Sequence, residues 1–314
     1  MHIAIHRFVL PLYPLLFLIS IGLVGNGFIV VINGMDWMKS RKLSSCDMIL
    51  SCLGMSRIIM QGAAVVSYSY SFFSRETRTL DNLFITFRII HMFAGVTTSW
   101  FASCLSVFYC VKIASFTQRL FLRMKQRISG MVPHLLLGSL LLALLTCIPS
   151  VWANYDFYLC NSTRTLSENT TVSDVNLEVS YLYFTFLVTV KGFFPFIIFL
   201  ASSILLIISL WRHTRHMEHN AASFQDPSTE AHVKAVKVLF SCLMLYGCSF
   251  VADTVRLFPT CLTDSTWTPG VSSIVVPLYP SGHSIILILI NPKLKQASVK
   301  ILHHVKQHRR QQTY

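Results

Sequence analysis

The side chains best equipped for chemistry in this sequence stand inside greasy surroundings. Arg57 interrupts LSCLGMSRIIMQGAAVV (50–66), Asn26 interrupts GLVGNGFIVV (22–31), and His283-Ser284 opens HSIILILI (283–290). Each lies about ten residues from one end of its apolar stretch, so at 1.5 Å per helical residue all three sit at one depth. A guanidinium at the centre of a bilayer costs roughly 2.5–3.5 kcal/mol and needs hydrogen-bonding partners. A shared polar cluster of Asn26, Arg57, His283 and Ser284 would supply them, either bracing the stretches or switching between arrangements. A second group stands nearer the opposite end: Arg88, His91, Lys191, Asp253 and Arg256. If Lys191 and Asp253 point inward they line a cavity that can orient a polar ligand. The alternative is reaching outward to lipid headgroups, the reading that suits Arg88 and Arg256.

None of these groups forms a catalytic set. HExxH, GxSxG, a phosphate loop and paired carboxylates within one span are all missing, and most of the thirteen acidic residues fall between apolar stretches. The nine cysteines show no CxxC pair and no metal-ligand spacing, so no metal or other cofactor is expected. Only Cys160 and Cys261 fall in expected external loops, where a bridge between them is open.

What must position these residues is a membrane-spanning framework. Of 314 residues, 53% are hydrophobic and 12% charged, about half the charge of an average soluble domain; mean hydropathy is +0.57. Seven stretches can cross a hydrocarbon core of about 30 Å: approximately 8–33, 47–72, 83–113, 131–154, 181–211, 234–259 and 270–291. The expected fold is an all-α seven-helix transmembrane domain over 1–292, followed by a cytosolic amphipathic helix and tail over 293–314. The first stretch is too long for a cleavable h-region and reads as a signal anchor.

The net charge of +13 does not indicate nucleic acid, because the basic residues cluster in short segments between apolar runs. One set of loops holds Lys39, Arg41 and Lys42, then Lys112 to Arg127, then Arg212 to Lys237, then the tail from Lys293. The positive-inside rule puts that set in the cytosol and the N-terminus outside. Sequons at Asn161 and Asn169 fall in an outer loop and agree with this orientation. After Asn291-Pro292, Leu294, Val299, Leu302 and Val305 recur among Lys295, Lys300 and Lys306, a pattern for a helix lying on an anionic leaflet.

Five strings carry a more specific signal: LSSCDMILSCLGMSRI (43–58), WFASCLSVFYCVKIASF (100–116), PFIIFLASSILLIISLWRHTRHM (195–217), DPSTEAHVKAVK (226–237) and YPSGHSIILILINPKLKQ (279–296). They closely resemble the signatures of the type 2 (bitter) taste receptors, a G-protein-coupled family. The resemblance implies a plasma-membrane receptor for bitter small molecules that activates a gustducin-type heterotrimeric G protein, with phospholipase C and calcium downstream. It implies a pocket between the outer halves of helices 2, 3, 5, 6 and 7. There the family's helix 3 tryptophan corresponds to His91, its asparagine to Gly95, a helix 7 acid to Ser273 and a helix 6 contact to Ser249. Those departures, with Lys191 added, imply smaller or anionic ligands. On the inner side the resemblance implies that Tyr109, Lys112, Arg212, His213 and Lys234 face the G protein. Pro195, with Pro259 as a second candidate, supplies a helix kink that could serve as a hinge. For each of those basic residues, topology and lipid contact alone is an equal reading. A receptor of the same fold acting outside taste, or a transporter, are the competing functions; no charge ring or internal repeat favours the transporter. A receptor oligomer is left open.

Overall fold

The computed structural model describes residues 2–73, 82–114, 118–164, 185–220, 227–257 and 268–311. Among them every regular element is helical. In hydrocarbon each backbone polar group must find its partner within the segment, which selects helices for apolar runs of this length. The elements are α1 (His2–Ser40), α2 (Ser45–Phe73), α3 (Asn82–Ile113), α4 (Arg119–Arg164), a π-helical turn (Val188–Phe193) continuing into α5 (Phe194–Asn220), α6 (Pro227–Leu257), α7 (Thr268–Ile290) and α8 (Pro292–Gln311). Several run past the apolar stretches read from sequence, α4 most of all, because hydropathy marks only the part that suits hydrocarbon while the helix continues into polar flanks. Six are long and apolar enough to cross a membrane within the described residues, and α7, bent 93° from α8, brings the number to seven.

The helices close into a ring: α1 packs on α2, α2 on α3, α3 on α5, α5 on α6, α6 on α7 and α7 back on α1. α4 stands outside, against α3 and α2. The shared core of Ile29, Leu53, Phe101, Leu105, Phe199 and Leu287 runs through the ring. Close approach of α1 and α7 depends on Gly25, where a Cβ would fall 2.5 Å from Ser284 Oγ.

The helix ends follow ordinary capping chemistry. Arg41 closes α1 at φ 54°, its N–H donating to Trp37 O at 2.8 Å. Ser44 caps α2, accepting from the Asp47 N–H at 3.1 Å. At the α7–α8 corner, Asn291 Oδ1 accepts from the N–H groups of Lys293 at 3.0 Å and Leu294 at 3.4 Å. Pro292 takes the first helical position, where its missing N–H is no loss. The abrupt change from apolar to basic sequence is therefore a capped corner. Leu294 is fully buried beneath it.

Lys293 clamps this corner to the bundle. Its Nζ donates to Asn33 Oδ1 at 2.8 Å and pairs with Asp36 at 2.7 Å and Asp47 at 3.2 Å. Partial burial disfavours the ammonium, but hydrogen bonds to Asp36 and Asp47 outweigh it and hold the Lys293 pKa above the ordinary lysine value. Asn291→Ala removes the cap and should cost about 1 kcal/mol. The expected result is faster amide hydrogen exchange confined to the first turns of α8; unchanged exchange there would contradict the capping role.

Candidate functional site

Two polar layers cross the ring. In the deeper one Arg57 of α2 is fully buried. Its Nη2 donates to His283 Nδ1 of α7 at 2.8 Å, so His283 must be neutral at that nitrogen. The Arg57 guanidinium carbon lies 5.1 Å from the centre of the Tyr279 ring. That ring stacks on His283 on one side, at 5.2 Å, and on Tyr246 of α6 at 4.7 Å. Phe199 of α5 meets Tyr246 edge-on at 4.8 Å. One arginine thus touches α7 directly and reaches α6 and α5 through stacked rings.

The other two members expected in this layer are buried there but bond within their own helices. Asn26 Nδ2 donates to Gly22 O at 2.8 Å, and Ser284 Oγ to Ser281 O at 2.8 Å. The α1–α7 link, and a second α2–α7 link beside Arg57–His283, come from residues not singled out in the sequence: Ser281 Oγ donates to Leu18 O at 2.7 Å, and Gln61 Nε2 to Ser281 Oγ at 3.3 Å. Their only sequence signal was polarity inside apolar runs.

The second layer lies toward the end opposite α8. Lys191 Nζ and Asp253 Oδ2 form an ion pair at 2.5 Å, joining the π-turn to α6. Gly95 makes room for it: a Cβ there would stand 3.3 Å from Lys191 Cε. His91 Nδ1 lies 3.0 Å from Met60 O, bridging α3 to α2. Ser249 Oγ donates to the α7 carbonyls of Val275 and Val276 at 3.2 and 3.3 Å. The Ser273 side chain lies outside the described residues.

Pro195 explains the π-turn that aims Lys191. Proline has no N–H, and in the five-residue register seen where Phe194 N–H bonds Thr189 O, the carbonyl left without a donor is Val190's. The Trp100 indole N–H fills that gap at 3.0 Å. A hydroxyl ladder completes the α3–α5 seam, with Ser103 Oγ donating to Pro195 O at 2.7 Å and Ser106 Oγ lying 2.6 Å from Ser202 Oγ. π-turns of this kind recur at functional sites.

At the α8 end, Tyr109 accepts from the Cys46 thiol at 3.5 Å, while Lys112 and Arg212 are exposed. His213 and Lys234 lie on α5 and α6, with side chains outside the described residues. Asn161 sits on the last turn of α4; Asn169, Pro259 and Cys261 lie outside the described residues.

This framework matches known proteins closely. The family model described as Taste receptor protein (TAS2R) covers residues 1–306. Taste receptor type 2 member 40 of Gallus gallus is 38% identical over 285 residues, 91% of each chain. Member 7 of Rattus norvegicus is 39% identical over 91% of this chain and 92% of its own length. Member 41 of Gorilla gorilla gorilla is 39% identical over 96% and 97%. The molecule is a chemoreceptor of the G-protein-coupled class, a multi-pass plasma-membrane protein and not an enzyme. The chain belongs to the type 2 taste receptor family.

Lys191 and Asp253 are both largely shielded from solvent, so removing one partner strands the other's charge. Lys191→Met alone should lower thermal stability by about 2 kcal/mol, and adding Asp253→Leu should restore most of it. A double variant no more stable than the single one would show that the pair is not coupled.

Proposed function

We propose that this chain binds bitter small molecules between the outer halves of α2, α3, α5, α6 and α7 and activates a gustducin-type heterotrimeric G protein, with phospholipase C and calcium signalling downstream. The observation that carries this reading is the Lys191–Asp253 pair lying against Gly95. It places complementary charge where α3, the π-turn and α6 converge, away from the clamped α8 corner. The ligand-facing set is then His91, Gly95, Lys191 and Asp253, with Ser249 and Ser273 beside them.

The pairing changes the ligand chemistry that the isolated lysine suggested. Asp253 already neutralises Lys191, so an anionic agonist must displace a carboxylate. A ligand that carries hydrogen-bond donors as well as acceptors can instead insert between the two. Binding acts by population shift: only a ligand that prefers the active helix arrangement can move the equilibrium. The π-turn above Pro195 is the compliant element, and the Arg57 layer lies between it and the α8 end.

The α8 end faces the cytosol in this reading, as its basic loops favour. There Tyr109, Lys112, Arg212, His213 and Lys234 meet the G protein, and α8 lies on the anionic leaflet. Asn161 and Asn169 face the exterior and carry glycans.

Cells expressing the chain with a chimeric G protein should show calcium transients to members of a bitter-compound panel. Asp253→Asn, which frees the lysine, should lower the half-maximal concentration of acidic agonists severalfold while leaving that of neutral ones within twofold. Solute uptake or current without any G protein, in place of calcium transients, would overturn the receptor assignment.

A further inference from the structure

Among the described residues, the Arg57 layer carries a charge that none balances. A guanidinium cannot shed its proton in a protein, and an isolated ion in a low-dielectric interior is strongly disfavoured. Arg57 is nevertheless fully buried. Its contacts among the described residues are a neutral imidazole nitrogen and the ring and hydroxyl of Tyr279, all dipolar and none anionic. The carboxylates whose side chains are described, Asp36, Asp47 and Asp253, are all bonded to lysines. Among the described residues, Arg57 Nε and Nη1 are buried without a well-formed hydrogen-bond acceptor, leaving N–H groups on two sides of the guanidinium underused. The neighbouring groups add donors: the Tyr246 hydroxyl faces Ser99 and the Tyr279 hydroxyl faces Arg57, neither closing a well-formed hydrogen bond, and the Cys242 thiol of α6 lies within electrostatic range.

A buried fixed cation, its spare N–H groups and adjacent O–H donors form the complement of a small anion. We propose that the layer binds one monovalent inorganic anion of the chloride class beside Arg57, between α2, α6 and α7. The anion supplies the counter-charge that none of the described carboxylates provides there. It accepts the N–H bonds that His283 leaves free. Because its donors come from three helices, its occupancy stabilises the arrangement in which α2, α6 and α7 are drawn together. The site is separate from the Lys191–Asp253 layer and does not depend on the identity of the agonist.

The test uses the full-length purified receptor in detergent, at constant ionic strength, with chloride exchanged stepwise for gluconate. A saturable rise in unfolding temperature is expected, about 3 °C once chloride reaches ten times its dissociation constant. Bromide should substitute, and the bulky gluconate should not. Equilibrium dialysis with radiolabelled chloride should find about one ion per receptor at saturation. Arg57→Gln should abolish both signals. Since that variant could fold poorly, Cys242→Asp provides a second arm: a carboxylate built in beside Arg57 should preserve folding while removing the chloride dependence. Stability that is the same in chloride and gluconate, or no saturable chloride binding to the unmodified receptor, would overturn the proposal and leave the spare N–H groups to water alone. Chloride dependence undiminished in folded Cys242→Asp would place any bound ion elsewhere and overturn it equally.

Discussion

One buried charge organises the interior of this receptor. In water Arg57 would be solvated from every side; inside an apolar ring of helices its N–H groups need other partners, and His283 takes one of them directly. The aromatic stack of Tyr279, His283 and Tyr246 then joins α7 to α6, and Phe199 extends it to α5. Helix packing in lipid has little hydrophobic driving force of its own, so polar contacts and close small-residue approaches decide which helices touch. Gly25 against Ser284 and Ser281 against the Leu18 carbonyl are of that kind. A change in the position of α6 relative to α7 would disturb the ring stack on which Arg57 rests.

The outer layer shows how one missing N–H propagates. Pro195 leaves a carbonyl unserved, the backbone above it adopts a wider turn, Trp100 supplies the absent donor, and the same turn delivers Lys191 to Asp253 across from Gly95. Each step follows from hydrogen-bond satisfaction in a medium that offers no water. Gly95 leaves space on α3, and the lysine stem occupies it. At the other end Lys293 gathers Asn33, Asp36 and Asp47, fastening α8 to α1 and α2.

The helical framework was readable because hydrocarbon imposes a simple length rule on apolar runs. Depth was readable too: residue counts at 1.5 Å each put Arg57 and His283 level before any contact was known. Partner choice was not. Asn26 and Ser284 can reach carbonyls one turn back on their own helices, and such local bonds compete with interhelical ones in a way that spacing does not settle. Lys191 and Asp253 shared a layer in the sequence, yet their pairing depends on the π-turn, which hydropathy does not register. The Lys293 clamp is not legible in the sequence, because the tail lysines all suit a lipid surface equally well. A lysine two residues into a helix, with two aspartates near the same face of the membrane, was the available hint.

The central claim is that Arg57 and His283 act as one unit holding α2 to α7. A double-mutant cycle on the thermal stability of the purified receptor tests it directly, using Arg57→Met, His283→Leu and the combination. The account predicts that the double variant is less damaged than the two single losses added together, with a coupling energy above about 1 kcal/mol. Losses that simply add would contradict it.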